Sequence, residues 1–161
     1  MRYRDLLEVA HPFRQVVARL TTATTGGNVA LDVLRQQTGK WLQSLRNLAF
    51  RNAETEHDIV VVAASIRKTT RVGSILLRLH YALPQILERG IFLSSEPPRA
   101  DRPNMVEMLN LGASVTLDDK LYHVVAKIRR YPQANQHYSL HFDGELMLVD
   151  TPPDFNPAGG S

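Results

Sequence analysis

The stretch His137-Tyr138-Ser139-Leu140-His141-Phe142-Asp143-Gly144-Glu145-Leu146-Met147-Leu148-Val149-Asp150 constrains the fold more than any other. Tyr138, Leu140 and Phe142 alternate with His137, Ser139 and His141, a period of two that marks a strand. Asp143-Gly144 is a dipeptide favoured in two-residue hairpin turns. Leu146, Leu148 and Val149 supply a second apolar strand. A two-residue turn pairs Phe142 with Glu145, His141 with Leu146, Ser139 with Leu148 and His137 with Asp150. Opposed residues stand about 5 Å apart at Cβ. The Asp150 carboxylate would then accept a hydrogen bond from the His137 ring and fix its tautomer. The pair reads either as a surface ion pair or as a histidine oriented by its acid, as in a nucleophilic triad.

Upstream, Leu6, Val9, Phe13, Val16, Val17 and Leu20 recur at three/four spacing, which predicts a helix from Asp5 interrupted by Pro12. Thr24 to Asn28 reads as a loop. The longest helical pattern runs from Val29 to about Phe50, with Leu31, Leu34, Trp41, Leu42, Leu45 and Leu48 on one face. Thr38 in its middle suits the cap of a second helix. Trp41 lies on the apolar stripe and is expected between helix and sheet. Residues 51–57 read as a polar loop, Ile59 to Ala64 as a buried strand, and Ser74 to Tyr81 as helix or strand, ended by Pro84. Ile91 to Leu93 reads as a strand, the Pro-rich run from Glu96 to Pro103 as a loop, and Asn104 to Leu109 as a short helical segment. Val115 to Leu117 and Leu121 to Arg129 follow as strands, the latter with Tyr122, Val124, Ala126 and Ile128 on one face. Residues 120–150 thus predict a three-stranded meander. The expected fold class is α+β, N-terminal helices packed on a C-terminal antiparallel sheet. One domain covers 1–150, and 151–161 is a Pro/Gly-rich tail or linker.

Composition narrows function mainly by exclusion. The chain has 161 residues, 43% hydrophobic and 22% charged, within the ordinary globular range. No apolar run reaches the ~18 residues of a membrane helix, and the N-terminus carries no signal-peptide core. An intracellular, cytoplasmic protein with no membrane partner is expected. The absence of cysteine rules out disulfides, zinc–thiolate sites and a thiol nucleophile. No cofactor is expected. His123, His137, His141 and Asp143 are the candidate metal ligands, but the last three spread about 20 Å along a strand at ~3.4 Å per residue. They are read as a half-exposed polar face, and no metal site is assigned. A formal charge of +3 permits nucleic-acid contact, with Arg67, Lys68, Arg71, Lys127, Arg129 and Arg130 as the candidate phosphate ligands.

Two short boxes carry a resemblance. Gly39-Lys40-Trp41-Leu42-Gln43-Ser44-Leu45 is similar to the start of the central helix in papain-like peptidases of the viral leader-peptidase and ubiquitin-specific kind. His137-Tyr138-Ser139 and Leu146-Met147-Leu148-Val149-Asp150 resemble the histidine and aspartate strands of the same families. Lys40 stands where those families place cysteine, Gln43 where asparagine is usual, and Gln136 where glycine precedes the histidine. The resemblance implies a degenerate triad of Lys40, His137 and Asp150 in a fold without peptidase activity. A lysine amine is charged at neutral pH and makes a poor nucleophile.

The sequence therefore points to a non-catalytic protein-interaction domain whose partner is another protein. A basic nucleic-acid-binding protein is the second reading. A structural subunit of a larger, for example viral, assembly, with a homo-oligomer among the forms it takes, is the third.

Overall fold

The computed structural model describes residues 13–62, 72–97, 107–132 and 138–149. In chain order the elements are β1 (Val16–Leu20), α1 (Leu31–Ser44), β2 (Ala49–Arg51), β3 (Asp58–Val61), α2 (Ser74–Leu79), a 3-10 turn (His80–Ala82), α3 (Leu83–Arg89), β4 (Ile91–Glu96), β5 (Glu107–Leu117), β6 (Lys120–Pro132) and β7 (Tyr138–Val149). The described strands join one seven-stranded sheet in the order β1-β5-β6-β7-β3-β2, and β4 also pairs with β5. β4 lies along the first half of β5 and β1 along the second. The β1–β5 and β3–β7 pairs are parallel, the rest antiparallel.

The α+β class agrees with the sequence, but the expected layout does not. Among the described residues a strand, β1, precedes the first helix, and the sheet is mixed; the helix expected from Asp5 to Pro12 lies outside them. Val16 to Leu20, read as helix from its three/four spacing, is a strand. Its β-branched Val16-Val17 pair suits an extended backbone, and parallel pairing with Ser114 to Leu117 along one side holds it in the sheet. Glu107 to Leu109, expected as a helical segment, opens β5.

The centre of the sheet is the β5–β6 hairpin, in register from Glu107↔Arg130 to Leu117↔Lys120. Asp118 and Asp119 turn it, with φ of 49° and 65°, the left-handed values that a type I′ turn requires. The Asp118 carboxylate accepts hydrogen bonds from the Thr22 amide and hydroxyl. These bonds, the hydroxyl's first, hold its pKa below the usual carboxylate value. They pin the hairpin tip to the segment that leaves β1.

The turn expected at Asp143-Gly144 is absent. β7 runs straight through it, so the predicted meander reduces to one long pair. Phe142 opposes Ile128 and Leu146 opposes Ala126. Residues 143–145 therefore bulge opposite Lys127 alone. Asp-Gly serves irregular backbone in a bulge as readily as in a turn. Running on lets β7 pair with β6 as far as His123↔Val149, which a fold-back at residue 143 would forfeit. The excess is two residues, an even number, so Phe142 and Leu146 stay on the same face and both are buried.

That face carries the core. Leu79, Ala82, Leu83, Ile86 and Leu87 of the α2–α3 region join Leu111, Ala113, Val115, Val124, Ala126 and Ile128 of the sheet in one buried cluster. Val124, Ala126 and Ile128 share a face as their alternation predicted. Pro84 occupies the first turn of α3, where no N–H is required, so it starts a helix rather than ending one. Gly90 lets α3 press on the sheet. A Cβ there would lie 2.5 Å from the Ile86 carbonyl oxygen and 2.8 Å from Leu111 Cγ.

α1 is one unbroken helix, and Thr38 caps nothing. It is buried within the stripe Leu34, Thr38, Leu42, and its hydroxyl has no hydrogen-bond partner among the described residues. Trp41 is half-buried rather than enclosed against the sheet. Its ring lies 4.8 Å from that of Tyr81.

Candidate binding cleft

The segment between β2 and β3 reads as a polar loop, yet it is closely organised by hydrogen bonds. Asn52 is fully buried. Its amide donates to the carbonyls of Leu87 at 2.9 Å and Gly90 at 3.0 Å, at the C-terminal end of α3. Its side-chain oxygen accepts from the amides of Glu54 and Thr55 and from the Thr55 hydroxyl. One side chain thus satisfies helix-end carbonyls and loop amides together. The Ala53 amide adds a bond to Glu88 O at 2.8 Å. The loop is clamped to α3, and Thr55 and His57 project from it to line a cleft.

Opposite them the sheet ends in an apolar floor. Thr55, His57, Phe92, Leu109, Arg130 and Leu140 enclose a cleft of about 380 Å³, within the size range of small-ligand pockets. Arg130 and Leu140 oppose each other across β6 and β7, and Glu107 opposes Arg130 across β5 and β6. The Arg130 guanidinium donates to the Glu107 carboxylate. The Thr55 hydroxyl is spent on Asn52. The lining can bury an apolar group and hydrogen-bond its polar end. Among the described lining residues no nucleophile is hydrogen-bonded to a base.

The sheet's other face carries a pair that does resemble a nucleophile and its base. Ser114 Oγ lies 2.7 Å from His123 Nδ1, both buried. The single hydroxyl proton of Ser114 goes to the Phe13 carbonyl at 2.8 Å. Nδ1 of His123 must then carry a proton and donate to the serine oxygen. A histidine that donates cannot abstract the serine proton, so the pair is structural. Burial lowers the pKa of His123. His141 is lowered by burial first and then by the charge of Arg129.

The residues singled out in the sequence are not gathered at the cleft. Lys40 is exposed in the third turn of α1, not at a helix start, as the papain-like arrangement requires. His137 and Asp150 lie outside the described residues, and the hairpin register meant to oppose them is replaced by continuous pairing with β6. Arg67, Lys68 and Arg71 also lie outside. Lys127 is engaged by Glu96 at 2.9 Å and Asn110 at 2.6 Å, Arg129 is buried, and of these described candidates Arg130 lines the cleft. His141 opposes Arg129, six positions along β6 from His123. Among the described residues no helix is long and apolar enough to cross a membrane. Asn52, Thr55, His57, Phe92, Leu109 and Leu140 were not singled out, because the contacts that unite them join distant segments.

Residues 30–138 match the family model described as large polyvalent protein-associated domain 3. Comparison with curated proteins gives no match, and neither does comparison with solved structures.

Proposed function

The chain belongs to the large polyvalent protein-associated domain 3 family, and on that premise we propose that it is a non-catalytic protein-interaction domain. The observation that carries this reading is the preformed apolar cleft, with one wall fixed by Asn52 and the other by the sheet. A cleft with one wall held by the Asn52 hydrogen bonds loses less entropy on filling than an unheld one, which favours recognition of an exposed side chain on another chain. The family's description, a domain associated with large polyvalent proteins, is compatible with a binding module. The papain-like element of the resemblance adds nothing to the proposal, since Lys40 sits mid-helix.

The test is position-specific cross-linking. A photoreactive amino acid replaces His57 at the cleft or Arg35 on the exposed side of α1, in the protein expressed in its own cells. One protein captured from position 57 and not from position 35 supports the reading. Equal capture from both, or none from position 57, counts against it. The nucleic-acid reading predicts instead salt-dependent binding to generic DNA or RNA.

A further inference from the structure

Beyond the cleft, and without depending on it, we infer that the outer edge of β2 receives a short extended segment of a partner protein as an added strand. The sheet ends on β2, which pairs with β3 on its inner side. The Val61 amide donates to the Leu48 carbonyl at 3.2 Å, and the Asn52 amide to the His57 carbonyl at 2.9 Å. Bonds toward β3 thus fall on the even positions, and the N–H and C=O groups of Ala49 and Arg51 point away from it. Those groups have no partner among the described residues. The edge is also open to solvent. Ala49 and Arg51 are exposed, and Leu48 beside them is 48% exposed. An open strand edge is a template for pairing unless it is covered or blunted.

The edge sets both the length and the pattern of what it receives. Asn47, with φ of 66°, breaks the strand at one end, and at the other the Ala53 amide is taken by the Glu88 carbonyl at 2.8 Å. The window is Leu48 to Arg51, too short to supply by itself the ~1,200 Å² that holds a rigid second copy. An extended segment draws its affinity from main-chain bonds instead. Side chains alternate between the two faces of a strand. Phe50 packs against the core, so residues opposite Leu48 and Phe50 meet an apolar strip. Arg51 lies on the other face, where Asp58 opposes it at 3.6 Å and both side chains are exposed. Asp58 flanks Arg51 on the β3 side only. An acid in the added strand flanks it on the open side, a favourable cross-strand pair. Read from the residue opposite Arg51, an antiparallel occupant runs acid, apolar, any residue, apolar.

The test titrates three peptides into the full chain and follows its backbone amide resonances. The peptides are acetyl-Ser-Glu-Val-Thr-Val-Ser-amide, the same with Lys for Glu, and the Glu peptide N-methylated at Thr, which removes a main-chain donor facing β2. The expected result is saturable shifts at Ala49 and Arg51 with the Glu peptide, about threefold weaker binding of the Lys peptide, and none of the N-methylated one. Ala49→Pro removes an N–H that points outward, a position where an edge strand tolerates proline. It should abolish the shifts while the cooperative thermal transition remains. Arg51→Glu should reverse the preference between the Glu and Lys peptides, a readout that stands even where the proline variant fails to fold. No saturable shift with either unmethylated peptide overturns the proposal. Shifts that survive N-methylation, or that persist in folded Ala49→Pro, assign the contact to side chains and overturn strand addition. Equal binding of the Glu and Lys peptides overturns the acid in the pattern. Shifts at Ala49 and Arg51 on simple dilution, without peptide, would give the edge to a second copy of this chain and also overturn the proposal.

Discussion

Two buried polar residues bear on stability in different ways. Asn52→Ala strips partners from the carbonyls of Leu87 and Gly90 and from the amides of Glu54 and Thr55. Leaving buried groups unpaired costs about 1–3 kcal/mol each, and water reaches some of them once the side chain is gone. A loss of roughly 2–4 kcal/mol is expected, read by urea denaturation, with faster hydrogen exchange confined to 53–57. His80 is buried, and its Nδ1 donates to the Leu76 carbonyl at 2.6 Å. Burial, partly offset by that bond, lowers its pKa from 6.5 to about 4. The unfolded chain therefore takes up the proton first as pH falls. His80's contribution is complete above pH 6.5 and is lost progressively down to pH 4, by roughly 3 kcal/mol. His80→Asn retains a donor but does not titrate, so its stability should be flatter across that window. An unchanged slope would show that another group governs it. Neither role is legible in the sequence: an asparagine in a polar loop and a histidine in an apolar run gain meaning only from carbonyls elsewhere in the fold.

At the scale of elements, alternation was readable and direction was not. β3 and β4 follow from short apolar runs, and the apolar faces of β6 and β7 from period two, because each strand's apolar residues are written in its own stretch of chain. The Asp-Gly dipeptide and the three/four spacing of Val16 to Leu20 misled, because local propensity yields where a long partner strand is available. The bulge in β7 provides a length test. Deleting Asp143 and Gly144 together leaves one residue opposite Lys127 and restores a plain ladder with Leu146, 3% accessible, still inward opposite Ala126. The shortened protein should keep a cooperative thermal transition close to that of the parent. Loss of that transition would be incompatible with the register from Ala126 to Ile128. The cleft was invisible at this scale, since it combines a loop with four strands distant in the chain.

For the whole molecule, the consequence of β1 lies in time. Val16 takes its place opposite Ser114, and Leu20 opposite Leu117. A strand near one end of the chain is thus completed by one nearly a hundred residues later. Closing so wide a loop carries an entropic cost before any contact rewards it, and topologies rich in such pairings fold in milliseconds to seconds rather than microseconds. Stopped-flow refolding should therefore give a slow principal phase, and pulse-labelling should find the Val17 and Arg19 amides protected after those of β6. Protection of β1 ahead of β6 would contradict this order. During synthesis at about 5–20 residues per second, β1 waits on the order of 5–20 s for its partner. Its Val16-Val17-Ala18 backbone is open to other strands throughout that interval, so the nascent chain is most exposed to mispairing long before the cleft exists.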